Sequence, residues 1–176
     1  GDISGHDSSV LAISALKGAL QATGSEDVTY VNAPGLAAER GVTSSVTTTP
    51  DSPEYRSMIS LHAALASGHQ IKVDGTLMGI KKVEKIIAID GFDLDLPPTE
   101  NLMFLRYIDK PGVVGAVGNS LGAAKINIAG MQVAREAQGG KALMALTVDS
   151  PVSDSVTDSI KKEIEADLVR SVSLVG

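Results

Sequence analysis

The chain has 176 residues, with 21 Asp plus Glu against 15 Lys plus Arg and a net charge of −6, so it lacks the non-specific pull toward phosphate backbones or anionic lipid. No apolar run approaches the roughly 20 residues that cross a bilayer, and the absence of Cys removes any disulfide framework, thiolate nucleophile or Cys-bound zinc. These features predict a soluble cytoplasmic protein with neither nucleic-acid nor membrane partners, long enough for one domain or two small ones.

Gly1-Asp2-Ile3-Ser4-Gly5 holds neither an initiator Met nor a basic stretch leading into an apolar signal core, so the chain reads as an excerpt of something longer. Asp7-Ser8-Ser9 supplies N-cap side chains, and Val10, Leu11, Ile13, Leu16, Ala19 and Leu20 recur at helical spacing until Thr23-Gly24. After a short extended piece at Val28 to Val31, a second helix is expected where Asn32 can cap, Pro34 suits a first turn and Gly41 suits the position after the end. From Val42 the composition turns β-branched and alternating. Strands are predicted over Val42 to Thr49, Tyr55 to Leu65, Ile71 to Leu77 and Val83 to Ile89, separated by turns at Pro50-Asp51-Ser52-Pro53, Ser67-Gly68 and Met78-Gly79, which makes an antiparallel meander.

Phe92-Asp93-Leu94-Asp95-Leu96 reads as a last short strand entering a stiff Pro97-Pro98-Thr99 linker, and the domain boundary is placed there, giving domains 1–98 and 99–176. The second part reads as strand (Leu102 to Asp109), helix (Gly112 to Ala124), strand (Ile126 to Arg135), a Gly139-Gly140 turn, strand (Lys141 to Val148), helix (Ser153 to Ala166) and strand (Leu168 to Val175). Val152, Val156, Ile160 and Ile164 mark the core stripe of the last helix. The expected class is α+β: an N-terminal α/β-meander domain followed by a βαββαβ, ferredoxin-like domain with two helices on one face of a four-stranded antiparallel sheet. That arrangement hosts many functions.

Most chemical motifs fail on context. Gly118-Asn119-Ser120-Leu121-Gly122 matches G-x-S-x-G, but the nucleophile elbow needs Ser at a strand-to-helix turn, and Ser120 falls inside a helix. The glycines from Gly112 to Gly118 lack both the G-x-G turn of a dinucleotide fingerprint and an acidic residue about 20 positions on. His6, His62 and His69 have neither zinc-helix spacing nor Cys partners, so no metal, catalytic or cofactor-binding residue is expected in this chain. Lys81, Lys82 and Lys85 form the one basic cluster, a solvated strand end or a small-anion site. Asp90, Asp93 and Asp95 alternate like a soluble edge.

The informative stretch is Leu105-Arg106-Tyr107-Ile108-Asp109-Lys110-Pro111-Gly112-Val113-Val114. Strand period two puts Tyr107 and Asp109 on one face at the strand's C-terminal end. Pro111 and Gly112 then turn the chain into a helix whose first amides, from Gly112 to Val114, carry the positive end of the dipole. Asn127 opens the next strand. A carboxylate, an amide, a phenol and a helix N-terminus match the needs of a free α-amino acid, with Asp109 for the ammonium and the amides for the carboxylate. The competing reading is that Asp109 merely caps the helix and Asn127 satisfies a turn.

Asp109-Lys110-Pro111-Gly112-Val113-Val114-Gly115 with Ile126-Asn127-Ile128-Ala129-Gly130-Met131-Gln132-Val133 resembles an ACT domain, the small-molecule sensor attached to enzymes of amino-acid metabolism. Val28-Thr29-Tyr30-Val31-Asn32-Ala33-Pro34, Ala37-Ala38-Glu39-Arg40-Gly41, Ser52-Pro53-Glu54-Tyr55-Arg56, Gly75-Thr76-Leu77 and Gly91-Phe92-Asp93 resemble the intervening, allosteric-substrate-binding-like domain of long-form bacterial D-3-phosphoglycerate dehydrogenases. Together the two resemblances cover nearly the whole chain, with the intervening domain truncated at its N-terminus. They imply the regulatory C-terminal portion of a serine-biosynthesis oxidoreductase whose NAD-binding and catalytic domains lie elsewhere, so that this chain alone is inactive. The family's serine-sensing residues fall on Tyr107, Asp109 and Asn127, with the main chain of Gly112, Val113 and Val114 nearby. The resemblance places the ligand between two subunits, Asn127 serving the neighbour's site, and implies allosteric feedback inhibition by L-serine in a homo-oligomer paired through ACT domains, a dimer or, in the full enzyme, a tetramer. Lys85 fits a basic position of the family's second, anion-binding site, although Phe92 and Pro97 stand where some relatives have arginines. Iron-sulfur L-serine dehydratases carry a similar pair of domains, and a stand-alone amino-acid-binding module is the alternative without an attached enzyme.

Overall fold

The computed structural model describes residues 1–24, 27–52 and 54–174, and its contacts divide the chain into two units, Gly1–Leu61 and His62–Gly176.

In the first unit a 3₁₀ turn at Asp2–Gly5 precedes α1, Ser9–Gln21. The Asp7 carboxylate accepts the Ser9 N–H at 2.9 Å, satisfying an amide that the helix start leaves free. The backbone and side-chain hydrogen bonds from Ser9 hold the Asp7 carboxyl below its usual range. The second helix, α2, spans Ala33–Glu39 with Pro34 in its first turn, and Gly41 follows at φ +67°, the left-handed conformation that glycine adopts without steric cost. Asn32 precedes the helix as expected but caps nothing in it. Its side chain instead accepts the Thr29 N–H at 2.7 Å and donates to the Asp27 carbonyl at 2.8 Å, tying the incoming loop together. Leu20, Val28, Ala33 and Ala37 form a small buried cluster with Ile13, Leu16 and Leu36 against it.

Two expected extended pieces are corrected. Tyr30 and Val31 lie in a turn, and Val42 to Thr49 form no strand although their composition favours one. Every side chain in that second segment is exposed, and among the described residues it pairs with no strand. A β-branched sequence becomes a strand only where a partner and a face to bury exist, and this one has neither. The expected turn at 50–53 ends on Pro53, which lies outside the described residues. The next strand, β1, spans Met58–Ala64, three residues shorter at its start than expected, and crosses from one unit into the other.

The second unit holds β2 (Gln70–Met78), β3 (Val83–Ile89) and β4 (Phe92–Leu96) in a sheet ordered β1-β2-β3-β4. Asp90 at φ +50° and Gly91 at φ +85° make the two-residue connection between β3 and β4, the pattern in which both positions are left-handed and the turn follows the strand twist. Pro97-Pro98 lead on to β5 (Asn101–Ile108), then come α3 (Val113–Ala123), β6 (Ile128–Arg135), β7 (Lys141–Val148), α4 (Asp154–Glu163) and β8 (Leu168–Ser173). The order β6-β7-β5-β8, antiparallel throughout, is the βαββαβ arrangement expected from the sequence. The helix α3 is one residue shorter at each end than expected, α4 is one residue shorter at its start and three at its end, and the last expected strand residue, Val175, lies outside the described residues.

Both faces of this second sheet are covered. One face packs α3 and α4 through Met103, Leu105, Tyr107, Val117, Leu121, Met144, Leu146 and Ile160, with Val152 and Ile164 also buried. The opposite face packs Leu102, Leu143 and Ala145 against Phe92, Leu94 and Leu96 of β4. Double coverage explains why β5 and β7 read as continuous apolar runs, whereas β4 alternates with Asp93 and Asp95 turned to solvent. Gln132 of β6 ties β4 down: its side-chain carbonyl accepts the Asp95 N–H at 2.8 Å, and its amide donates to the Asp95 carbonyl. Within α3, Ser120 donates to Glu163 of α4 at 2.7 Å, a helix-to-helix link with no nucleophile geometry.

Candidate functional site

The C-terminal ends of β5 and β6 flank the start of β7, and their side chains follow from the register. Arg135 and Tyr107 both stand opposite Ala142, so the three form one cross-strand row on the helix-covered face. Asp109, two residues beyond Tyr107, continues on that face. Its N–H donates to the Gly140 carbonyl at 2.8 Å, which fixes the strand end against the turn that follows β6. Over the small Ala142, Arg135 reaches Asp109, Nη1 to Oδ2 at 3.0 Å. A cleft of about 350 Å³ results, lined by Asp109, Lys110, Pro111, Arg135, Gln138 and Gly139.

Tyr107 is 1% exposed and belongs to the core beneath this cleft. Burial, and secondarily the Asp109 charge, push its hydroxyl above the ordinary 10.0. A folded state that holds the proton more tightly than the unfolded chain is fully stabilised below the unfolded value and loses stability as pH rises through the folded one. Urea unfolding between pH 9 and 11.5 should therefore show an alkaline loss of stability that Tyr107→Phe flattens. An identical slope in both proteins would remove Tyr107 as its source.

Gly112 precedes α3 at φ +94°. Val113 is buried in the core, while Val114 is half exposed. Tyr107, Asp109 and the start of α3 are thus brought to one end of the sheet. Asn127 is not. It precedes β6 at the opposite end, eight residues from Arg135 and so roughly 26 Å away along the strand, where its amide donates to the Asp149 carboxylate at 2.8 Å. Lys85 lies in β3 and pairs with Asp95 at 2.7 Å, while Lys81 and Lys82 sit in the exposed turn before that strand.

Two features went unread in the sequence. Arg135 is one, although the period-two set Met131, Val133, Arg135 along β6 was a usable signal. The other is a larger open cleft of about 740 Å³ whose lining includes His62, His69, Lys72, Asp90 and Arg106. Its cations are already matched: Lys72 pairs with Asp74 at 2.8 Å, and Arg106 lies 3.5 Å from Asp90 and 3.3 Å from the His69 ring. The smaller cleft joins the Asp109 carboxylate, whose one side-chain partner among the described residues is Arg135, to the Lys110-Pro111 segment that leads into α3, and that is the stronger chemistry. Among the described residues no group of three or more His, Cys, Asp or Glu could hold a metal ion, and no helix is long and apolar enough to cross a membrane.

Fold and cleft together define an α+β protein in which a ferredoxin-like sheet, backed by a β-meander, carries a small polar cleft at its strand ends. Residues 1–90 match the family model described as the D-3-phosphoglycerate dehydrogenase intervening domain, and the chain belongs to that family. It is similar to proteins named D-3-phosphoglycerate dehydrogenase from Mycobacterium leprae (36% identical over 174 residues, 99% of this chain and 33% of the relative) and Mycobacterium tuberculosis (37%, with the same coverage). The Bacillus subtilis protein of that name is 34% identical over 161 residues, 91% of this chain and 30% of the relative. The chain spans about a third of the length of these relatives.

Proposed function

We propose that this chain is the regulatory C-terminal portion of an NAD-dependent D-3-phosphoglycerate dehydrogenase, the enzyme of the first step of L-serine biosynthesis, and that it senses L-serine for feedback inhibition. In this reading residues 1–98 are the intervening domain and 99–176 an ACT domain. Catalysis and NAD binding belong to other domains of the cytoplasmic parent enzyme. The observation that carries the reading is the family match over residues 1–90 joined, on the same chain, to a cleft lined by Asp109, Lys110 and Pro111, from which the chain runs through Gly112 into α3. An ammonium needs an anion and a carboxylate needs amide donors, and both are offered there.

Asn127, at the far end of β6, serves the site only from a second chain, so the reading requires a homodimer paired through the ACT sheets, with a tetramer open to the full enzyme. A ligand spanning that interface favours one relative orientation of the subunits, and allosteric couplings of this kind amount to ~1–3 kcal/mol. Lys85 is the residue assigned to a second, anion-binding site; with its ammonium already on Asp95, an anion there has to displace a carboxylate.

The test is titration calorimetry of the chain with L-serine alongside light scattering. The expected result is saturable binding by a dimer. A monomer at high concentration, or a dimer that binds no L-serine, overturns the sensor reading.

A further inference from the structure

We propose that Arg135 is the carboxylate anchor of the cleft, so that Asp109 and Arg135 form a charge pair which a zwitterionic α-amino acid completes, ammonium on Asp109 and carboxylate on the guanidinium. This rests on reading the cleft as an amino-acid site, and adds to it a residue on a different strand from the motif that suggested that site.

The geometry leaves both partners half used. Arg135 touches Asp109 through a single contact, Nη1 to Oδ2 at 3.0 Å, and among the described residues neither Oδ1 of Asp109 nor the remaining donors of Arg135 have another partner. A guanidinium carries five N–H donors in a fixed fork, so one side can stay on Asp109 while the other takes a ligand carboxylate. The Arg135 side chain is 57% exposed and that of Asp109 21%. The fork is therefore open to an incoming ligand, while the carboxylate is sheltered enough to hold an ammonium. Lys110, the other cation lining the cleft, is held by Glu165 at 2.5 Å, which leaves Arg135 as the cation free to receive an anion. Four alternating charges result, each with an opposite neighbour, and a ligand lacking either its ammonium or its carboxylate leaves one protein charge facing solvent alone.

Calorimetry of the wild-type chain, Arg135→Gln and Arg135→Lys with L-serine and with L-serinamide, which keeps the ammonium and lacks the carboxylate, is the test. Arg135→Gln should weaken L-serine at least tenfold and lower its advantage over L-serinamide by a similar factor. Arg135→Lys, which keeps the charge without the fork, should retain part of both. Unchanged or tighter L-serine binding in Arg135→Gln would make Arg135 only an internal counter-ion and overturn the anchor, leaving the amino-acid site standing. Absence of L-serine binding in the wild type would instead overturn the site itself. Should Arg135→Gln fail to fold by circular dichroism, Arg135→Lys binding L-serine as tightly as wild type with undiminished selectivity over L-serinamide overturns the fork geometry.

Discussion

Asp109→Ala is expected to weaken L-serine binding about ten- to a hundredfold while leaving the fold intact. The substitution removes an ionised acceptor, and hydrogen bonds to charged groups contribute roughly 1.5–3 kcal/mol, where each 1.4 kcal/mol is a factor of about ten. The stability cost should be small, because the Asp109–Arg135 pair is exposed on its Arg side and such pairs contribute about 0–1 kcal/mol. Asp109→Asn separates charge from shape: it keeps a carbonyl acceptor in the same place but loses the anion, and should fall close to the alanine variant. Titration calorimetry of the three proteins decides the matter. Equal L-serine affinity in wild type and Asp109→Ala would remove Asp109 from the site, whatever the neighbouring residues do.

What could be read locally was read well, and what depended on distant partners was not. The stripe of Val152, Val156, Ile160 and Ile164 and the alternation of Phe92, Leu94 and Leu96 are periodicities that a helix or strand cannot satisfy in any other way, and both landed where expected. Val42 to Thr49 carries an equally good strand composition, yet the described residues offer it neither a ladder nor a face to bury. Composition reports only what a strand would tolerate. Asn32 shows the same limit at smaller scale: its position before a helix was legible, but its amide found Asp27 and Thr29 in the preceding loop instead. In the cleft, Asp109, Lys110 and Pro111 are contiguous in sequence and share one lining. Arg135 joins them only through the pairing of β6 and β5 with β7, a register that no single segment encodes. Asn127 was legible as the opening of β6, and the same register places it at the far end of that strand.

The largest stability effect should come from the layer between the two sheets. Leu96 is 2% exposed and sits with Phe92, Leu94, Leu102, Leu143 and Ala145. Leu96→Ala should therefore cost about 2–5 kcal/mol, the transfer loss plus the cavity left behind. Against a total of ~5–15 kcal/mol for an ordinary domain, that is a large fraction, and with a urea slope of ~1–3 kcal/mol/M the midpoint should fall by roughly 1–2 M. Leu77→Ala, at a side chain that is 53% exposed at the far end of β2, is the matched control and should stay within about 0.5 kcal/mol. The informative feature is which structure unfolds. Because β4 rests on β5 and β7, and Gln132 of β6 holds the Asp95 backbone, the loss at Leu96 should lower the unfolding midpoint of the helix-covered sheet as well as that of the meander. Hydrogen exchange of the β5 and β7 amides under increasing urea reads this directly. If those amides kept their wild-type protection while β2 to β4 opened early, the two sheets would be energetically separate and the shared layer would carry no coupling between them.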